Sequence, residues 1–219
     1  PNLLFPTPIW TMKLENFENI NNEMYNFIKE SQLKDQTGIK KSNNKGWHSK
    51  DFNMQETEVK NFIKNISPSI EKVIVDMNWE KEKQSIKISN MWAIINIGGS
   101  TNSRHQHGNS TISAAYYVRA PKNCGDIVFY DPRPAPVFCY PEAVSSNLLN
   151  AHINSITPEE GALILFPRRQ ADKRAEVTCS PEDNSTSYSS LEKFFVIALD
   201  FSTKSLVTPA MAETTTTSL

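Results

Sequence analysis

Apolar residues recur at helical spacing near the front of the chain. Between Phe17 and Ile28 they fall at Phe17, Ile20, Met24, Phe27 and Ile28, which predicts a helix with one packing face. The polar stretch KDQTGIKKSNNKG that follows predicts a loop. A second helical pattern occupies Val59, Phe62, Ile63 and Ile66, then Ile70, Val73, Ile74 and Met77. Ser67-Pro68 interrupts it. Serine suits an N-cap and proline the first helical position, so a break or kink is expected there.

From about residue 84 the period changes. KISNMWAIINIGG, STISAAYYVRAP, GDIVFYDP, GALILFP and EKFFVIALDFS are β-branched or aromatic and bounded by Gly, Pro or Asn, which predicts strands. Two helices followed by several short strands predict an α+β chain whose later part is a sandwich or barrel. DPRPAPVFCYPEA is too rich in proline to be anything but loop, and KRAEVTCSPEDNSTSYSS reads as a polar insertion. The tail AMAETTTTSL has no core-forming pattern and is expected to be extended or held by a partner. The expected organisation is a single domain over residues 1–203, with a helical front over 1–82 and a barrel over 83–203, then a tail over 204–219.

Composition narrows the function classes. Hydrophobic residues make up 38% and charged residues 21%, a globular balance. The 23 basic and 24 acidic residues nearly cancel, so no broad nucleic-acid or membrane-surface binding is expected. No apolar run reaches the roughly 18 residues of a membrane-spanning helix. The opening PNLLFPTPIW lacks the layout of a signal peptide. Cys124, Cys139 and Cys179 are odd in number and form no CxxC, which argues against a disulfide framework or a zinc finger. A reducing, cytoplasmic setting is the expectation.

Of the four histidines, His48 in GWHSK and His152 in NAHINS read as structural or surface residues. His105 and His107 differ. They form HQH after a predicted strand and a glycine-rich turn. In an extended segment, alternation puts both rings on one face, where two imidazoles can share one metal ion.

WAIINIGGSTNSRHQHGNSTISAAYYVRAPKNCGDIVFYDPR, followed by TPEEGALILFP, resembles the 2-oxoglutarate/Fe(II)-dependent oxygenase family of bacteria and their phages. FPTPIW and GWHSK fit the opening of the same family, so the resemblance spans most of residues 1–201. It implies a double-stranded β-helix, a cupin-like jelly roll with helices packed on one sheet. It also implies hydroxylation or another oxidation, with Fe(II) as metal and 2-oxoglutarate as co-substrate. A 2-His-1-carboxylate triad leaves metal positions open for the 2-oxo acid and for dioxygen, and a basic residue holds the distal carboxylate.

The chain departs from the family pattern at its functional positions. Counted from Phe166-Pro167, the distal histidine falls on Asp172. The arginine slot of the last strand falls on Phe194, with Lys193 beside it. Two readings stay open. In one, His105, His107 and Asp172 bind the metal, while Lys193 and Tyr117 hold 2-oxoglutarate. In the other, the site has decayed, and Asp172 sits in a charge run with Arg168, Arg169, Lys173 and Arg174. Tyr117 is expected to face the barrel interior if its strand keeps phase with His107. Asn96 and Asn102 match family asparagines and either orient the metal histidines or serve turns.

Three functions follow. The first is an Fe(II)/2-oxoglutarate oxygenase. The second is a non-enzymatic binding or assembly protein on the same fold, with protein partners through its tail, a phage virion component being one form. The third is a cupin-like metalloprotein that does not use 2-oxoglutarate.

Overall fold

The computed structural model describes residues 2–3, 5–80, 84–103, 110–122, 124–131, 143–147, 149–167, 176–178 and 194–205. Two helices accompany eleven strands among them. The front holds β1 (Trp10–Lys13), α1 (Phe17–Lys34), β2 (Asn43–Asn44), β3 (Trp47–His48) and α2 (Thr57–Asp76). Then come β4 (Gln84–Asn96), β5 (Thr101–Asn102), β6 (Ile112–Arg119), β7 (Asp126–Tyr130), β8 (Ile153–Ile156), β9 (Ala162–Pro167), β10 (Glu176–Thr178) and β11 (Phe194–Ser205).

The strands form two sheets, in the orders β1-β9-β6-β11-β4-β3 and β2-β5-β10-β7-β8. Every pairing is antiparallel. After α2 the chain passes between the sheets repeatedly: β4 lies in the first, β5 in the second, β6 in the first, β7 and β8 in the second, β9 in the first, β10 in the second and β11 in the first. This winding is a double-stranded β-helix. The two-residue strands β2 and β3 lie in different sheets, β2 beside β5 and β3 beside β4, so residues 43–48 close the seam between them.

Strand alternation divides the apolar residues into two cores. On one face of the first sheet, Met91, Ala93, Ile95, Tyr116, Phe195 and Ile197 pack with Ile20, Met24 and Ile28 of α1 and Val59, Phe62 and Ile66 of α2. On its other face, Ala115, Tyr117, Ile164, Phe166 and Val196 pack with Ile127 and Phe129 of the second sheet. The helices thus cover the outside of the first sheet, and the second sheet encloses its inside. Phe62 and Tyr116 meet at a ring-centroid distance of 5.0 Å. The Tyr116 hydroxyl donates to Asn21 Oδ1 at 2.6 Å, which explains why a fully buried asparagine stands on the packing face of α1.

Two sequence expectations are corrected. Pro68 does not break the second helix, because α2 runs from Thr57 to Asp76 with Pro68 inside it. Ser67 does not cap a new helix; its hydroxyl donates back to the Ile63 carbonyl at 2.7 Å, a bond that lets serine sit inside a helix. The polar segment after Pro167 is not wholly an insertion either, since Glu176–Thr178 forms β10 between β5 and β7. Three residues are too few to show a period, so the sequence pattern missed it.

One glycine is required by geometry. Gly161 has φ +80°, and a Cβ there would run into the Phe17 ring. Its N–H donates to Tyr117 O and its carbonyl accepts from Leu14 N–H, at 2.8 and 3.1 Å. This turn ties the start of β9 to β6 and to the segment before α1.

Candidate functional site

Register identifies the residues that face the space between the sheets. Along β4, Met91, Ala93 and Ile95 belong to the helix-side core, which leaves Trp92, Ile94 and Asn96 on the inner face. Val196 pairs with Ile94 on one side and Tyr117 on the other. Asp200 pairs with Asn90 and Ser113, and Ser113 with Phe166. Across the gap, Asn102 pairs with Val177 and Val177 with Ile127. Ile127 belongs to the inner core, so Asn102 in the same row faces inward too.

The inner walls are mostly apolar, with polar groups at both ends. At one end Ser113 Oγ donates to Asp200 Oδ1 at 2.7 Å and lies 3.2 Å from Ser110 Oγ. Beside them Asn90 Nδ2 donates to Asp51 Oδ2 at 2.7 Å. Ser110 follows the HQH segment by three residues. At the other end stand Asn96 and Asn102, joined through the turn over residues 97–100, in which Ser100 Oγ accepts the Ile97 N–H at 3.0 Å. Asn96 is fully buried and Asn102 nearly so. The Asn96 amide nitrogen and oxygen and the Asn102 amide oxygen have no hydrogen-bond partner among the described residues. A buried polar atom left unpaired costs about 1–3 kcal/mol, so these atoms suit a small polar ligand or water.

Tyr117 is buried on the inner face. Burial pushes its phenol well above the usual tyrosine range, and Cys124 and Asp126 push it further. The hydroxyl therefore stays protonated and able to donate. His48 has a structural setting. It is buried, stacks on Trp92 at a centroid distance of 5.8 Å, and its Nδ1 lies 2.6 Å from the Ser49 carbonyl. A carbonyl only accepts, so Nδ1 carries the hydrogen. His152 is exposed.

His105, His107, Asp172 and Lys193 lie outside the described residues. Among those described, no three His, Cys, Asp or Glu residues stand close enough to hold a metal. The described strands do bracket the predicted ligands. β5 leads toward the two histidines, and β10 follows Asp172 by four residues.

Residues 90–182 match the model of a family described as "Putative 2OG-Fe(II) oxygenase". This is the fold of the 2OG-Fe(II) oxygenases. A Pseudomonas putida prolyl-4-hydroxylase superposes with TM-score 0.59 at 8% identity, over 90% of this chain and 92% of the other. A Trichoplax adhaerens prolyl hydroxylase, solved with a peptide fragment of hypoxia inducible factor, gives 0.56 at 14% identity over 88% and 82%. HygX from Streptomyces hygroscopicus, solved with nickel and 2-oxoglutarate, gives 0.52 at 8% identity over 90% and 83%. No curated protein matches by sequence. At such identities the superpositions establish the 2OG-oxygenase fold, which bears out the sequence reading of a double-stranded β-helix with helices on one sheet. No helix among the described residues is long and apolar enough to cross a membrane.

The two ends of the inner space were not equally legible in the sequence. Asn96 was marked by its family match, but its inward aim and unpaired amide come from strand phase. The Ser113–Asp200 pair gave no sequence signal, because its members are 87 residues apart.

Proposed function

We propose that this chain is an Fe(II)/2-oxoglutarate-dependent oxygenase in which His105, His107 and Asp172 hold the metal. The ladder between β5 and β10 carries the reading. Val177 pairs with Asn102 and Thr178 with Thr101, antiparallel. The chain therefore leaves β5 toward the histidines at the same end of the sheet where it arrives at β10 from Asp172. In sequence, His105 and His107 lie three and five residues beyond Asn102, and Asp172 lies four before Glu176, so all three candidate ligands belong to the segments that continue from that one end of the sheet.

The inner face fits the co-substrate. Tyr117 offers a protonated hydroxyl among apolar walls, and Asp200 is held at the opposite end by Ser113. Lys193 is the cation nearest the start of β11. When bound, iron and 2-oxoglutarate together activate dioxygen as the 2-oxo acid is decarboxylated; the residues around them orient the ligands and exclude water.

The charge run after Pro167 favours a second reading. Asp172 stands among Arg168, Arg169, Lys173 and Arg174, and without a third metal ligand the chain would be a degraded relative that keeps the fold for binding or assembly, in the cytoplasm or in a virion.

An anaerobic titration with Fe(II) and 2-oxoglutarate separates the two. The oxygenase reading expects a visible charge-transfer band that saturates at one equivalent of iron. Asp172→Ala and His107→Ala should each weaken iron by at least ~100-fold, beyond the usual loss on removing a residue that merely orients a ligand. A wild-type chain that shows no band would be the degraded relative.

A further inference from the structure

We propose that Asn96 binds the far carboxylate of the 2-oxo acid, as a neutral amide at the end of the inner space where Asn102 also stands. The proposal deepens the oxygenase reading and rests on it. Three observations lead to it. Asn96 is fully buried, and neither of its amide atoms has a partner among the described residues. Its place in β4, two residues beyond inward-facing Ile94, aims it into the space between the sheets. Its register partner is Phe194, the first residue of β11 and the position where the family resemblance implies an arginine.

Gly46 of the seam approaches so closely that a Cβ on it would strike Asn96 Oδ1 and the Ile95 carbonyl. The seam thus seals the amide from solvent. Nδ2 can donate an N–H to one oxygen of a carboxylate. The Oδ1 atoms of Asn96 and Asn102 are both acceptors without partners among the described residues. A neutral donor holds a carboxylate by hydrogen bonding alone, so the interaction should depend on geometry more than on salt.

The test compares two ligands on one protein. 2-Oxoglutarate and 2-oxovalerate share a five-carbon 2-oxo acid chain, and only the first has a distal carboxylate. Both are titrated anaerobically into the Fe(II)-loaded wild type, Asn96→Ala and Asn96→Asp, following the charge-transfer band. The wild type should prefer 2-oxoglutarate. Asn96→Ala should lose about 10- to 100-fold of that preference, as expected for a hydrogen bond to a charged group. Asn96→Asp should lose more, because two carboxylates then face each other. Taking the preference within each variant cancels any general loss of folding. An unchanged preference in Asn96→Ala overturns the proposal while leaving the oxygenase reading intact. A wild type with no band for either ligand overturns both.

Discussion

Tyr116 and Tyr117 are neighbours in sequence and face opposite sides of one sheet. Tyr116 lies among the helices, where its hydroxyl is used by Asn21 and its ring by Phe62. Tyr117 lies between the sheets, in a smaller core that ends in polar groups. On the helix side the Tyr116 hydroxyl is paired with Asn21 Oδ1, and only the Asn21 Nδ2 of that pair lacks a partner among the described residues. On the inner side both amide atoms of Asn96 and the Asn102 oxygen lack one. The contrast separates a face built mainly for packing from one that keeps several polar atoms unpaired, although both sit on the same strands.

Breaking the helix side should have the largest effect on stability. Phe62→Ala removes a fully buried ring from the contact of α2 with Tyr116 and should cost about 3–5 kcal/mol, read as a lower denaturation midpoint in urea. The folded fraction should still bind Fe(II) and 2-oxoglutarate with wild-type affinity. Loss of binding in that fraction would show that the two faces are not independent.

The adjacent tyrosines sharpen the comparison at smaller cost. Tyr116→Phe leaves Asn21 Oδ1 buried without its donor and should lower stability by about 1–3 kcal/mol, with 2-oxoglutarate affinity unchanged. Tyr117→Phe should keep the ring packing and weaken 2-oxoglutarate by about 10-fold through the loss of one hydrogen bond. Equal effects of both changes on binding would remove the distinction.

The smallest effect lies at the surface. Hydrogen bonds from Lys72 and from the Trp10 indole hold the Asp76 carboxyl below the usual carboxylate range. A carboxyl lowered in the folded state stabilises the chain above its unfolded pKa, and that contribution is lost as pH falls through the folded value. Asp76→Asn should therefore flatten the acid limb of a thermal-melting profile slightly, and added salt should shrink the difference. Metal and 2-oxoglutarate binding should not respond.

The long elements were legible because their periods are long enough to count. The apolar spacing in α1 and α2, and the β-branched runs of β4, β6, β7, β9 and β11, all appear where sequence pattern put them. The two-residue strands β2, β3 and β5, and the three- or four-residue β1, β8 and β10, did not, since so few residues carry no period. They matter to the site nonetheless, because β5 and β10 set the register beside the candidate ligands.

By itself the sequence determined the fold class, the order of its long strands and a short set of candidate donors. Those properties are local: a period needs only its own residues, and a motif only its spacing. Tertiary structure alone decided which side of each strand meets helices and which meets the second sheet. It also showed that Pro68 is carried within a helix, and that the Asn96 amide is sealed beneath Gly46 and left unpaired among the described residues. Each of these depends on partners tens of residues away in the chain, and no local pattern records which distant residue will cover a given face.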